Sequence, residues 1–208
     1  YQRVVQQRNA LLKYFAANRV FSAEQLALYD DQLCALAPDL YAARLAFTSA
    51  FAPELQRFYS LLSGGQEAVD WTYESDLNNA PLDQLLRDSL ARDRVVQYTT
   101  TGLHKDDLVF TLNGHPLKKV GSQGQQKSYL VSVKLAQFAQ LTRSLGRKPL
   151  LLLDDVFDKL DAERVEALVS LVKAQEFGQI FLSDTHADRT NALVKRMDPD
   201  GRVVVLEL

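Results

Sequence analysis

Apolar residues recur at steps of three and four through residues 1–63, a period that predicts long amphipathic helices. The longest stripe follows Ser22, a predicted N-cap, and consists of Leu33, Leu36, Leu40, Ala43, Phe47, Phe51, Leu55, Phe58 and Leu62. Pro38 and Pro53 interrupt this stripe and are predicted to break or kink the helix, because proline removes an amide donor. The pattern is typical of a helical hairpin that packs on itself.

The pattern changes downstream, where predicted strands alternate with predicted helices and so indicate a mainly parallel α/β sheet. Asn113-Gly114 is a favoured hairpin turn, and the four leucines at 150–153 predict a strand buried on both faces. The predicted elements after the arm are strand 68–74, helix 81–93, hairpin strands 108–112 and 115–120, helix 122–144, strand 150–153, helix 162–175, strand 179–182, helix 191–196 and strand 203–206. We therefore predict two domains: a helical arm over residues 1–97, with a short strand near 68–74, and an α/β lobe over 98–208.

Composition narrows the class of protein only slightly. The 208 residues are 47% hydrophobic and 24% charged, as in ordinary globular proteins. The net charge of −2 permits at most a local basic patch, and the single cysteine, Cys34, fits a reducing compartment. No apolar run approaches the ~20 residues of a membrane span. We expect a cytoplasmic protein with no membrane partner, in which Cys34, Trp71 and Met197 are packing residues.

Two carboxylates, Asp154 and Asp155, directly follow the four leucines. Ligands of open α/β sheets bind at the carboxyl ends of strands, and P-loop ATPases place an acid there to hold Mg²⁺ and to position a water molecule. The plainer alternative is a core strand that ends in a polar turn. The next predicted strand, 179–182, leads to His186, where ABC-type ATPases keep a switch histidine.

Two glycine-containing stretches compete for the role of an ABC signature loop. Residues 62–66 read Leu-Ser-Gly-Gly-Gln, yet a strand-like segment follows them, and we interpret Gly64-Gly65 as the turn that ends a helix. Residues 121–127 meet the structural conditions better, because a hairpin precedes them and a long helix follows. Ser122 could cap that helix, whose first amides would face phosphate. Taken alone, the second stretch is better explained as an ordinary Gly-Ser loop with a serine N-cap, but the downstream motifs in register favour a signature loop.

The phosphate-binding motif G-x-x-x-x-G-K-[ST] is missing from this chain, since no glycine is followed by Lys-Ser or Lys-Thr at the required spacing. We therefore expect this chain alone neither to hydrolyse ATP nor to bind it tightly.

Together these motifs resemble the RecF family of bacterial DNA replication and repair proteins. The similar stretches are residues 3–13, 101–108, 112–114, 121–126 and 150–161. The resemblance covers essentially the whole chain but only the C-terminal part of the family, so the Walker A and Q loops would precede Tyr1. It implies the C-terminal lobe of an ABC-type ATPase head, with a mainly parallel sheet, flanking helices and a β-hairpin, joined to an α-helical arm.

The resemblance also implies roles for individual residues. Asp154 would hold Mg²⁺ through water, and Asp155 and His186 would be catalytic, with Asp155 polarising the attacking water. Asp161 would belong to a D-loop that touches the partner protomer. The signature residues that would contact the partner's ATP are Ser122, Gln123, Gly124, Gln125 and Gln126. ABC ATPases usually carry Glu at the position of Asp155, so the shorter side chain implies slow hydrolysis.

As a family member, the full-length protein would bind ATP, dimerise, and act at ssDNA/dsDNA junctions in recombinational repair, replication restart and the SOS response. Its protein partners would be RecR and RecO. Two alternatives are the head of another SMC-like chromosome-organising ATPase and a catalytically inactive interaction module. The His104–Asp107 stretch would be either a structural polar cluster or a nucleotide or DNA contact, and His186 could equally be an exposed loop histidine. Six basic residues could form a DNA-binding surface or remain scattered: Lys118, Lys119, Lys127, Arg143, Arg147 and Lys148.

Overall fold

The computed structural model describes residues 1–174, 177–183, 191–193 and 195–196. The chain forms two compact units. Unit 1 comprises Tyr1–Ser49 and Thr72–Val109, and unit 2 comprises Ala50–Trp71 and Phe110–Leu208. These units are interleaved along the chain and differ from the consecutive ranges 1–97 and 98–208. The functional division into an arm and an ATPase lobe stays a prediction.

The predicted arm begins with two helices, α1 (Gln2–Asn18) and α2 (Ala23–Ser63). Helix α2 runs for 41 residues and continues through both Pro38 and Pro53, so a break at either proline is wrong, while a kink stays a prediction. A proline removes one backbone hydrogen bond, whereas buried apolar residues on both sides, such as Leu33 and Leu55, favour an unbroken helix. None of the described helices combines the length and apolar character needed to cross a membrane.

Unit 1 packs α1 and the first part of α2 against α3 (Leu82–Val96). Its core cluster consists of Val5, Leu33, Ala37, Leu82, Leu86 and Leu103. Cys34 is partly buried beside this cluster, which confirms its predicted packing role. Burial raises the pKa of the Cys34 thiol, so the thiol is poorly reactive at neutral pH.

A buried ion pair joins α1 to α3 within unit 1. The side chains of Arg8 and Asp93 are both 0% exposed, and Arg8 Nη1 donates to Asp93 Oδ2 at 2.6 Å. Arg8 Nε also donates to Asp30 Oδ1 on α2 at 2.6 Å. The other oxygen of Asp93 accepts from the Thr100 amide at 2.9 Å. One guanidinium therefore holds three helices together, and its carboxylate partner also fixes the chain after α3.

An antiparallel hairpin sheet follows the order β1 (Val69–Glu74), β2 (Asp107–Leu112), β3 (His115–Pro116). The predicted turn is confirmed: Asn113 and Gly114 both have positive φ, 49° and 78°, as a tight hairpin turn requires. The predicted strand 115–120 is wrong beyond Pro116, because residues Leu117–Val120 form a short helix, α4. Proline has no amide to donate to a strand ladder, and its fixed φ suits a helix start.

Unit 2 contains the parallel strand pair that the α/β prediction required. The elements are α5 (Gln123–Leu145), β4 (Leu151–Asp154), α6 (Ala162–Lys173) and β5 (Ile180–Ser183). Strands β4 and β5 are parallel, with Leu151 opposite Ile180 and Asp154 opposite Ser183. Residues 191–193 and 195–196 are helical, as predicted, whereas the predicted strand 203–206 lies outside the described residues.

Strand β4 is buried on one face only, which corrects the prediction of burial on both. Leu151 and Leu153 are 5% and 3% exposed, whereas Leu152 is 64% exposed and Phe181 on β5 is 49% exposed. The alternation follows from the two-residue period of a strand whose second face is uncovered in this chain.

Aromatic side chains stabilise the rest of unit 2. Trp71 stacks on Phe51 with ring centroids 4.8 Å apart and on Phe110 at 6.1 Å. Phe110 also contacts Tyr129 of α5 at 5.1 Å. The predicted packing role of Trp71 is confirmed, and Met197 lies outside the described residues.

We expect Asp93→Asn to lower the free energy of unfolding by about 3–5 kcal/mol, because it leaves the buried Arg8 charge without its fully buried carboxylate partner. Urea unfolding followed by far-UV circular dichroism measures this loss. Asp83→Asn is the matched control, since it breaks an exposed pair with Arg87 on the same helix, and we expect little change. Equal losses in the two variants would contradict the assigned role of Arg8–Asp93.

Candidate functional site

The carboxyl end of β4 presents the two predicted acidic residues. Asp154 is the last residue of β4 and lies opposite Ser183 in the parallel register. The Ser183 hydroxyl donates a hydrogen bond to Asp154 Oδ1. Asp154 is otherwise exposed, so a hydrated cation could approach it at the sheet edge where α/β proteins bind ligands.

Asp155 starts a tight turn in the left-handed backbone conformation, with φ of 48°. Aspartate adopts this conformation more readily than most residues. Its amide donates to the Ser183 carbonyl oxygen at 3.0 Å, which extends the β4–β5 ladder by one residue. Its Oδ1 is buried and has no hydrogen-bond partner among the residues that the structure describes. A buried acceptor without a partner is rare, and this one could orient a water molecule or accept its proton.

Ser122 caps helix α5, as predicted, and does so through a capping box. Its hydroxyl accepts from the Gln125 amide at 3.2 Å, and its own amide donates to Gln125 Oε1 at 2.8 Å. The hydroxyl proton of Ser122 remains available as a donor. The amides of Gln123 and Gly124 lie in the first turn, where no carbonyl one turn earlier can accept from them. Such amides form an anion-binding site at a helix N-terminus.

Among the remaining signature residues, Gln123 is exposed, whereas the side chains of Gln125 and Gln126 make hydrogen bonds within unit 2. Gln126 Nε2 donates to the Gly121 carbonyl oxygen at 2.8 Å, which closes the loop before the helix. Gln125 Nε2 donates to Glu67 Oε1 at 2.9 Å.

The start of α5 lies directly against the turn that follows Asp155. A Cβ atom at position 124 would lie 3.1 Å from the Lys159 carbonyl oxygen, tighter than about nine in ten real contacts of this kind. A larger residue would require the turn to move by a few tenths of an ångström. Lys127 Nζ donates to the Asp155 carbonyl oxygen at 2.9 Å. The structure therefore brings the predicted signature loop and the acidic turn together in unit 2.

Asp161, the predicted D-loop residue, lies at the start of α6 and caps it. Its Oδ1 accepts from the Arg164 amide at 2.8 Å, and its Oδ2 accepts from Arg164 Nε at 3.2 Å. Phe157 in the same turn is 0% exposed and anchors the segment between Asp155 and Asp161. His186, the predicted switch residue, lies outside the described residues.

The competing glycine stretch has the structure that the sequence predicted for it. Helix α2 ends at Ser63, and Gly64 and Gly65 follow with φ of 65° and 74°. The Gly65 amide donates to the Ser60 carbonyl oxygen at 2.9 Å, so the pair forms a helix-ending turn.

Glu67 and Arg164 were not among the residues predicted from motifs, yet Glu67 contacts the predicted signature loop and Arg164 contacts the D-loop-like turn. A lone acid and a lone base 97 residues apart carry no local pattern that could have revealed this pairing.

The His104–Asp107 stretch forms a polar cluster inside unit 1, in line with the structural alternative. Arg44 Nη1 donates to the Leu103 carbonyl oxygen at 2.6 Å and to Asp106 Oδ2 at 2.5 Å. The Tyr73 hydroxyl donates to the same carboxylate oxygen. His104 Nε2 lies 3.0 Å from the Thr99 carbonyl oxygen.

Among the six basic residues considered for DNA binding, Lys127 and Arg143 make side-chain contacts to other segments of unit 2. Lys127 bonds the acidic turn, and Arg143 Nη1 lies 2.6 Å from Glu54 Oε1. The grouping of the six into a DNA surface stays a prediction.

Several named proteins are similar to this chain, although no protein-family model matches it. The chain is 47% identical over 195 residues to the DNA replication and repair protein RecF of Flavobacterium johnsoniae, an alignment that covers 94% of this chain and 54% of that protein. It is 41% identical over 208 residues to the protein of the same name from Phocaeicola vulgatus, covering 100% of this chain and 55% of that protein. This chain belongs to the RecF family. It spans about half the length of the curated relatives it matches.

A solved RecF structure supports the same fold. It is described as the recombination mediator protein RecF with ATP in the RecFOR pathway, and it matches with a TM-score of 0.75 at 25% identity. The match covers 90% of this chain and 52% of that chain. The family resemblance and the α/β fold class predicted from the motifs are thus both confirmed.

We expect Ser122→Ala to lower the free energy of unfolding of unit 2 by about 0.5–2 kcal/mol, because it removes the cap of α5. Ser122→Asp is the matched control, since aspartate caps helices about as well as serine. Urea unfolding followed by the fluorescence of Trp71, the single tryptophan, reports on this unit. Equal destabilisation by both substitutions would show that the hydroxyl is not the cap.

Proposed function

We propose that this chain is the C-terminal half of a RecF-type ATP-dependent DNA repair protein that dimerises around ATP. The observation that carries the proposal is the contact between a capped helix N-terminus and an acidic turn, made by Lys127 and by Gly124. A bound phosphate chain needs amide donors for its oxygens and a carboxylate for its metal ion. The contact fixes the spacing of these two groups in one protomer, so that each ATP of a dimer would meet the acidic turn of its own protomer and the start of α5 of the partner.

In this proposal, the start of α5 contacts the γ-phosphate of ATP bound to the partner protomer. The amides of Gln123 and Gly124 and the hydroxyl of Ser122 donate to it, while Gln125 and Gln126 hold the loop in shape. The positive end of the α5 dipole favours the same negative charge. Asp161 lies in the adjoining turn and touches the partner.

Asp154 and Asp155 serve the nucleotide bound to their own protomer. The described residues contain no cluster of three metal-binding side chains, and Mg²⁺ in ATPases needs only one or two carboxylates because phosphate and water complete its shell. The exposed Asp154 at the end of β4 fits this requirement, with water between the carboxylate and the ion. When bound, Mg²⁺ would offset the negative charge of the phosphate oxygens.

Asp155 is proposed to orient the attacking water through its buried, unpartnered Oδ1. The carboxylate of aspartate extends less far than that of glutamate, so proton transfer from water is expected to be slow. Slow hydrolysis suits a clamp that persists on DNA better than a motor. The catalytic role of His186 remains part of this proposal.

The uncovered face of β4 and β5 is proposed to pack against the remainder of the full-length protein. Leu152 and Phe181 are 64% and 49% exposed on that face, and neighbouring strands of an α/β sheet are normally covered on both sides. The same remainder would supply the phosphate-binding loop and its lysine, which this chain lacks.

The cellular role is proposed from the relatives. Proteins named for DNA replication and repair, and a recombination mediator of the RecFOR pathway, are similar to this chain. We infer a cytoplasmic protein that acts with RecR and RecO at ssDNA/dsDNA junctions during recombinational repair and replication restart, including the SOS response. An inactive interaction module is the alternative, and hydrolysis by the full-length protein would exclude it.

Substitution of the two carboxylates tests the proposed site. In the full-length protein, Asp154→Asn should weaken both Mg²⁺-ATP binding and hydrolysis, because it removes the charge that attracts the cation. Asp155→Asn should spare binding but slow phosphate release by on the order of 10²–10⁴, because it removes a water-orienting base. The measurement pairs ATP binding by equilibrium dialysis with steady-state phosphate release. Wild-type hydrolysis by Asp155→Asn would contradict the assignment.

A further inference from the structure

A nearly buried guanidinium lies between the signature loop and the D-loop-like turn. The Arg164 side chain, in the first turn of α6, is 12% exposed. Its Nε donates to Asp161 Oδ2 at 3.2 Å, and its Nη1 donates to the hydroxyl of the buried Ser128 on α5 at 2.9 Å. Its Nη2 lies 3.0 and 3.2 Å from the two oxygens of Glu67. One planar group thus links three separate segments of unit 2.

Glu67 is the second member of this network, and both of its oxygens are occupied. Oε1 accepts from Arg164 and from Gln125 Nε2, and Oε2 accepts from Arg164 and from the Tyr59 hydroxyl at 2.5 Å. Burial raises the pKa of the Glu67 carboxyl, but the hydrogen bonds from Tyr59 and Gln125 and the nearby Arg164 charge outweigh it. The pKa of Glu67 therefore lies below its usual range, and the group is charged at neutral pH.

Gln125 connects this ion pair to the predicted signature loop. Its side-chain amide uses both ends: Oε1 accepts from the Ser122 amide at 2.8 Å, and Nε2 donates to Glu67 at 2.9 Å. An unbroken path of hydrogen bonds therefore runs from the backbone of Ser122 through Gln125, Glu67 and Arg164 to Asp161. The path joins the two loops that the proposed function places against the partner's nucleotide.

The network has no group free for chemistry, because each oxygen of Glu67 already accepts two bonds and Arg164 is engaged at Nε, Nη1 and Nη2. Buried ion pairs contribute little net stability, yet they can select one geometry among several. A network of this kind is suited to holding two loops in a fixed relation.

We propose that Glu67 and Arg164 are positioning residues, whose ion pair holds the signature loop and the D-loop-like turn in the relative geometry that an ATP-bridged dimer requires. This inference rests on the proposed function, since it deepens the role of that site. The inference also gives a role to the residue that follows the competing glycine stretch: residues 62–66 end a helix, and Glu67 supports the predicted signature loop at 121–127.

The test compares two variants of the full-length protein. Glu67→Gln removes the charge while it keeps the shape of the side chain. Arg164→Lys keeps the positive charge but loses the planar fork that reaches Glu67, Asp161 and Ser128 together. The matched control is Glu54→Gln in unit 2, because the Glu54 side chain is 17% exposed against 18% for Glu67 and its ion pairs, with Arg143 and Arg57, do not reach either loop.

Two quantities are measured for each variant: the affinity of the protomer for a fluorescent ATP analogue at dilute protein concentration, and the dimer dissociation constant in saturating Mg²⁺-ATP by light scattering. We expect Glu67→Gln and Arg164→Lys to weaken dimerisation by about tenfold or more, within the range of couplings between contacting residues. ATP affinity should stay within about twofold of the wild type, and Glu54→Gln should match the wild type in both measurements.

The outcomes separate this inference from the proposed function. If the wild type dimerises with ATP and both variants dimerise equally well, the positioning role is wrong and the proposed function stands. A parallel loss of ATP affinity and dimerisation would indicate general structural damage and would also overturn the positioning role. If the wild type does not dimerise with ATP, the proposed function fails, and the inference fails with it.

Discussion

The close approach of helix α5 to the turn after Asp155 is the constraint on which the candidate site depends. Gly124 leaves only enough room for the Lys159 carbonyl group, and Lys127 bonds the Asp155 carbonyl oxygen at 2.9 Å. A side chain at position 124 would require one of the two segments to shift by a few tenths of an ångström. Because the contact fixes a helix N-terminus beside an acidic strand end, it sets the spacing between two groups that, in the proposed dimer, would each act on a different ATP.

In both units, a largely buried arginine side chain links separate segments of the chain. In unit 1, Arg8 joins three helices through the buried Asp93 and through Asp30. In unit 2, Arg164 joins three segments through Glu67, Asp161 and a serine hydroxyl. Each guanidinium is largely withdrawn from water and compensated by carboxylates, which favours a single arrangement over many. The difference lies in location, since only the second network reaches residues with predicted roles in ATP chemistry.

Local patterns predicted those parts of the structure that local physics determines. The cap at Ser122, the turn at Gly64-Gly65 and the acidic end of β4 each follow from a few neighbouring residues. The unbroken helix through Pro53 could not be predicted in this way, because its stability comes from buried side chains contributed by distant segments. The pairing of Glu67 with Arg164 was invisible for the same reason: it depends on a contact across 97 residues that no periodicity encodes.

The most direct test of the account asks whether the α5 loop acts on the partner's nucleotide. Full-length Ser122→Arg protein, whose bulky side chain would block the partner's ATP, is mixed with full-length Asp154→Asn protein, and phosphate release is measured. Each variant alone should be inactive. The mixture should regain hydrolysis, because a mixed dimer contains one site with an intact Asp154 from one protomer and an intact Ser122 from the other. A mixture as inactive as its separate components would contradict the shared site.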